Sequence, residues 1–134
     1  MLSPILLSAL LAGAAPAPIQ VDVGHANWST MPGLERIDRM LPTPSMVDRV
    51  QALLGSKCRM PGQRRGRFNI TVPYAVLVNP DGTASHVVVG ETGCADLESY
   101  VGLIVLELAR NGDFRPSGGA APRWMSSEIN FNLN

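Results

Sequence analysis

The chain has 134 residues, with 11 Lys and Arg against 11 Asp and Glu, so its formal net charge at pH 7 is zero. Apolar residues make up 46% and charged residues 16%, which excludes a disordered or acidic tail. The charge balance also argues against a nucleic-acid binder, whose partner face carries a basic excess.

Between Met1 and Val21 no side chain is ionisable. The apolar run Ile5-Leu6-Leu7-Ser8-Ala9-Leu10-Leu11-Ala12 leads into Gly13-Ala14-Ala15-Pro16-Ala17-Pro18. An apolar run closed by small residues at A-x-A spacing is the pattern of a secretory signal peptide, although no Lys or Arg precedes it here. A membrane-spanning helix needs roughly 20 apolar residues, and Pro4, Pro16 and Pro18 bracket a much shorter run. Residues 1–17 are therefore expected to be a signal peptide, cut after Ala14, Ala15 or Ala17, with no stable membrane span. The remaining length suffices for one core.

Residues 18–44 read as an irregular segment, punctuated by Pro32-Gly33, Pro42 and Pro44, with only weak helical spacing at Leu34, Ile37 and Leu41. A first helix is expected from Pro44 to Leu54. Ser45 and Asp48 form a capping-box-like pair, Met46, Val47, Val50, Leu53 and Leu54 form an apolar stripe, and Gly55 supplies the stop. Residues 56–67 form a loop with Cys58 and the cluster Arg59, Arg64, Arg65 and Arg67. That cluster is either a solvated loop or a candidate contact with an acidic partner, lipid headgroups or peptidoglycan.

From Phe68, the residues Ile70, Val72, Tyr74, Val76 and Val78 alternate with Asn69, Thr71, Pro73, Ala75 and Leu77, the period of a strand. Pro73 cannot donate to a ladder, so pairing on both sides is expected only after it. Asn79-Pro80-Asp81-Gly82 has the chemistry of a type I turn closed by a glycine bulge, and Thr83 to Gly90 returns as a second strand. Leu97, Val101, Ile104, Val105 and Leu108 then give a wide helical face. Asp96 and Glu98 begin it, Arg110 ends it, and Asn111-Gly112 closes it. In the last strand, from Arg123 to Leu133, Met125, Ile129, Phe131 and Leu133 point one way. Trp124, Ser126, Glu128, Asn130 and Asn132 point the other. The expected fold is α+β in the order α-β-β-α-β: a three-stranded antiparallel sheet of order 2-1-3, with both helices packed on one face.

The chain has two cysteines, Cys58 and Cys94. In an exported protein an even pair reads as a disulfide, here closing a loop of about 36 residues. Zinc would need two more ligands, and His25 and His86 share no metal-like spacing with the cysteines or each other. No C-x-x-C is present. Neither a metal nor a cofactor is expected.

Tyr74-Ala75-Val76-Leu77-Val78-Asn79-Pro80-Asp81-Gly82-Thr83 resembles the first hairpin of the TonB C-terminal domain family. The helix Ala95–Arg110 occupies the place of that domain's long helix. Gly112-Asp113-Phe114-Arg115-Pro116-Ser117 resembles the aromatic-x-Pro segment that leaves it, and Ser126 to Leu133 resembles its closing strand. The resemblance runs from about Val72 to Leu133, within a domain expected over residues 45–134. It implies a periplasmic protein-binding module that meets outer-membrane transporters through its last strand. The inner-membrane helix and Pro-rich spacer of the family's transducers are not recognised in this sequence, nor is the Tyr-Pro-x-x-Ala segment before the first strand. A soluble TonB-like module associated with outer-membrane transport is therefore expected, and the resemblance does not extend to energy transduction.

The candidate partner-binding edge is Arg123, Trp124, Ser126, Glu128, Asn130 and Asn132, where an extended transporter segment would add as a strand. The same edge could instead be occupied by a homodimer or by the N-terminal segment. The competing class is a small secreted enzyme or an envelope-binding domain. No G-x-S-x-G, H-E-x-x-H, Walker or dinucleotide motif supports an enzyme, and the carboxylates Glu91, Asp113 and Glu128 are scattered.

Overall fold

The computed structural model describes residues 18–34, 42–58, 68–116 and 118–133. Its elements in chain order are β1 (Gln20–Gly24), a 3-10 turn (Trp28–Thr30), α1 (Pro44–Ser56), β2 (Phe68–Val78), β3 (Ala84–Gly90), α2 (Ala95–Arg110) and β4 (Arg123–Leu133). The sheet order is β1-β3-β2-β4. Strand β2 is antiparallel to both β3 and β4, whereas β1 runs parallel to β3.

The three-stranded antiparallel expectation is thus overturned: the sheet has four strands and is mixed. The three expected strands are present in the expected order as β3-β2-β4, with β1 added outside β3. The fourth comes from the stretch read as irregular, where Ile19, Val21 and Val23 alternate with Gln20, Asp22 and Gly24. Five residues carry too little pattern to announce a strand, and β1 is held mainly by neighbours remote in sequence. The second strand of the hairpin, β3, is consequently interior rather than an edge, while β4 remains an edge.

The β2 pattern follows the expected physics. Ile70, Val72, Tyr74, Val76 and Val78 are buried. The alternate residues face the other side, and of these only Ala75 is fully enclosed. β3 pairs with β2 from Tyr74 onward, the residue after Pro73, while β4 pairs along the whole of β2. Proline's missing N–H therefore sits where no β3 partner asks for it. In the turn Gly82 N–H donates to Asn79 O at 3.0 Å, and the register shifts by one residue between Leu77 and Val78. Asp81 accepts from the hydroxyl and, secondarily, the backbone N–H of Thr83, which lowers its carboxyl below the usual aspartate value.

Both helices pack on the face formed by these apolar residues: α1 lies against β4, α2 against β3 and β1, and the two helices touch. The cap of α1 is Thr43, not Ser45. Its Oγ1 accepts from Met46 N–H at 3.2 Å, and Pro44 stands in the first helical turn, where its lack of an N–H is harmless. The helix also runs one residue past Gly55, to Ser56. Helix α2 ends in a Schellman arrangement, with Asp113 N–H donating to Leu108 O and Gly112 N–H to Ala109 O.

Cys58 and Cys94 form a disulfide with a Cα–Cα distance of 5.7 Å, joining the second residue past the end of α1 to the N-cap of α2. Beside it Glu98, only 9% exposed, accepts from Thr92 N–H, Thr92 Oγ1 and Gly93 N–H. A carboxylate at a helix start is favoured by the dipole and here accepts from the donors of the half-buried turn that precedes the helix.

Candidate functional site

The N-terminal segment reaches both edges of the antiparallel core. Its first part is β1, on the free side of β3. The chain then passes through the 3-10 turn to the far side of the sheet. There Leu34 N–H donates to Ser126 O at 2.9 Å, and Ser126 N–H donates to Pro32 O at 3.0 Å, a parallel bridge at Gly33. Between these two attachments Ser126 Oγ donates to Trp28 O at 3.3 Å. One strap thus touches β3 at one edge and β4 at the other.

Ser126 fixes the orientation of every backbone group in β4. Both its N–H and its C=O point away from β2, toward residues 32–34. Because direction alternates along a strand, Glu128, Asn130 and Asn132 point the same way. Among the described residues, the strand bonding of this outer edge is confined to Ser126. Of the sequence-predicted edge residues, Ser126 is therefore engaged by the chain's own N-terminal segment. Glu128, Asn130 and Asn132 are exposed and outward-facing, while Arg123 lies at the strand's start opposite Val78. The basic cluster Arg59, Arg64, Arg65 and Arg67 lies outside the described residues, as does the expected signal peptide, residues 1–17.

Trp124 belongs to a second grouping that spans the sheet face away from the helices. Gln20, His86, Leu77 and Trp124 lie in one row across β1, β3, β2 and β4. The His86 and Trp124 rings are 5.2 Å apart at 59°, so Trp124 reaches over Leu77. His86 Nε2 lies 2.6 Å from Asp22 Oδ2, which also accepts from Gln20 Nε2 at 2.9 Å. His25 Nε2 lies 2.8 Å from Glu91 Oε2, just beyond the ends of β1 and β3. Both histidines of the chain therefore pair with carboxylates across the β1–β3 boundary. Reading the histidines only for metal spacing missed this, because Asp22 and His86 are 64 positions apart and meet only through strand register.

Among the described residues no group of three or more His, Cys, Asp or Glu side chains is placed to hold a metal, and no helix is long and apolar enough to cross a membrane. Comparison with protein-family models, curated proteins and solved structures finds no match. The geometry of the sheet edges is therefore the basis for a functional reading.

Proposed function

We propose that the chain is an exported, periplasmic protein-binding module that takes an extended partner segment as an added strand on the outer edge of β4. The observation that carries this reading is the pairing at Ser126. There the edge already accepts an extended segment, residues 32–34 of the same chain, through two backbone hydrogen bonds. Beyond it Glu128, Asn130 and Asn132 present the same outward N–H and C=O groups, and a partner strand can satisfy several at once. The resemblance of the hairpin, long helix and closing strand to the TonB C-terminal domain favours the same strand and suggests a segment of an outer-membrane transporter as the partner. The disulfide fits an oxidising compartment.

The test is capture from an envelope extract by the full chain, compared with Asn130→Pro and Glu128→Pro. Each proline removes an outward N–H and leaves the ladder to β2 intact, so both variants should fold. Partner capture should fall severalfold in each. Folded variants that capture the partner at full affinity would refute strand addition at this edge.

A further inference from the structure

We infer that the free side of β3, now covered by β1, is a second strand-acceptor groove. It fits a partner segment that runs parallel to β3 and carries a β-branched residue followed by a carboxylate. This site is distinct from the β4 edge, lies at the opposite side of the sheet, and does not depend on the reading given for β4.

The groove has two recognition elements besides the backbone of β3. The first is a notch in α2. Gly102 is buried in mid-helix, where glycine weakens the helix relative to alanine. A Cβ there would stand 3.1 Å from Val21 Cγ1 and 3.7 Å from Val89 Cγ2. The missing side chain makes the space that Val21 fills, and Ile19 packs against the same core. The second element is His86, on the opposite face, which takes the Asp22 carboxylate at 2.6 Å. An apolar residue toward the helix and an acid toward His86, in consecutive positions, fix both the face and the register of whatever strand lies there.

Strand β1 is the resident occupant, and its hold is slight. It has five residues and pairs in parallel, the less stable mode per residue. Val23 is 45% exposed, and the side chains of the Asp22–His86 pair are 49% and 26% exposed. Such ion pairs hold weakly in water. The tether adds to these contacts, since a linked strand acts at an effective concentration of order millimolar. A partner segment with the same chemistry competes for the same groove.

The probe is a labelled peptide with the sequence of residues 19–25, titrated into the full chain and into the full-length variant Val21→Asp. That variant sets a carboxylate against the notch and loosens the resident strand. The peptide should saturate the variant and bind the unaltered chain at least about tenfold more weakly, because there it meets the tethered competitor. Adding Gly102→Val to the variant should abolish binding. Adding His86→Ala, or replacing the peptide's aspartate by asparagine, should weaken it severalfold. A folded Val21→Asp chain that ignores the peptide, or that binds a scrambled peptide equally well, overturns the proposal. If Val21→Asp does not fold, the unaltered chain at millimolar peptide decides. Amide signals of β1 that change while β3 amides stay protected support the groove, and a spectrum unchanged by the peptide refutes it.

Discussion

Replacing Gly102 by alanine asks how tightly β1 is seated. In an unobstructed helix interior the change stabilises by roughly 0.8–1 kcal/mol, because alanine loses less backbone entropy on folding. Here the new Cβ would meet Val21 Cγ1 at 3.1 Å, inside the roughly 3.5–4.0 Å at which carbon atoms attract best. Val21 must retreat by a few tenths of an ångström, taking its strand with it or leaving its rotamer. Gly102→Ala is therefore expected to gain little or to destabilise. In a Val21→Ala background the obstructing methyl is gone, and the full helical gain should return. The difference between the two backgrounds is a coupling of about 0.5–1 kcal/mol, the size expected for side chains in contact. Urea unfolding of the four chains measures it, provided the slope with denaturant is unchanged. An identical effect of Gly102→Ala in both backgrounds would refute the seating of β1 against α2.

Other expectations follow from the same contacts. Replacing Cys58 and Cys94 together by alanine frees a loop of 36 residues and should cost about 3–4 kcal/mol on the chain-entropy model, read from denaturant unfolding. Mass spectrometry of the unreduced protein should show two hydrogens fewer than the reduced form. Glu98→Ala leaves the Thr92 and Gly93 N–H groups without their acceptor, while the Thr92 hydroxyl keeps Cys94 O, and should destabilise by about 1–3 kcal/mol, with Glu98→Gln intermediate; an unchanged melting curve would contradict the role given to Glu98. The Asp81 carboxyl, followed by NMR, should titrate below the ordinary aspartate value and move back up in Thr83→Val, which keeps the N–H donor but loses the hydroxyl. Because the folded value is the lower one, whatever this contact lends the turn is present above the unfolded midpoint and fades as pH falls through the folded one. N-terminal sequencing of protein from its native host should begin between Ala15 and Pro18, and an intact Met1 in a membrane fraction would contradict export with cleavage.

The parts of the fold legible in the sequence are those whose signal is local and long. The alternation of β2, the stripe of α2 and the Asn79–Gly82 turn each announce an element within a dozen or so residues, and Pro73 even marks where the β3 ladder begins. Strand β1 was not legible for the opposite reason. Its alternation spans only Ile19 to Gly24, and the features that seat it, Gly102 and His86, lie far along the chain. The cap of α1 was misplaced by two residues because Ser45 and Asp48 imitate a capping box, whereas Pro44 at the helix start shifts the cap to Thr43. Among site residues, the exposure of the Glu128, Asn130 and Asn132 side chains could be read from the alternation of β4, whereas the direction of their N–H groups follows only from the bonds of Ser126. The engagement of Ser126 could not be read, since residues 32–34 carry no strand pattern. Asp22 and His86 were invisible as a pair because register alone brings them together.

The most direct test of strand addition is residue-resolved amide hydrogen exchange along β4, in the free protein and after partner capture. In the free protein Ser127, Ile129 and Phe131, bonded to β2, should exchange slowly, while Glu128, Asn130 and Asn132 exchange quickly. Once the partner is bound, those three should become as protected as their neighbours. Protection of Glu128, Asn130 and Asn132 already in the free protein, or a bound complex in which they still exchange quickly, would contradict the account.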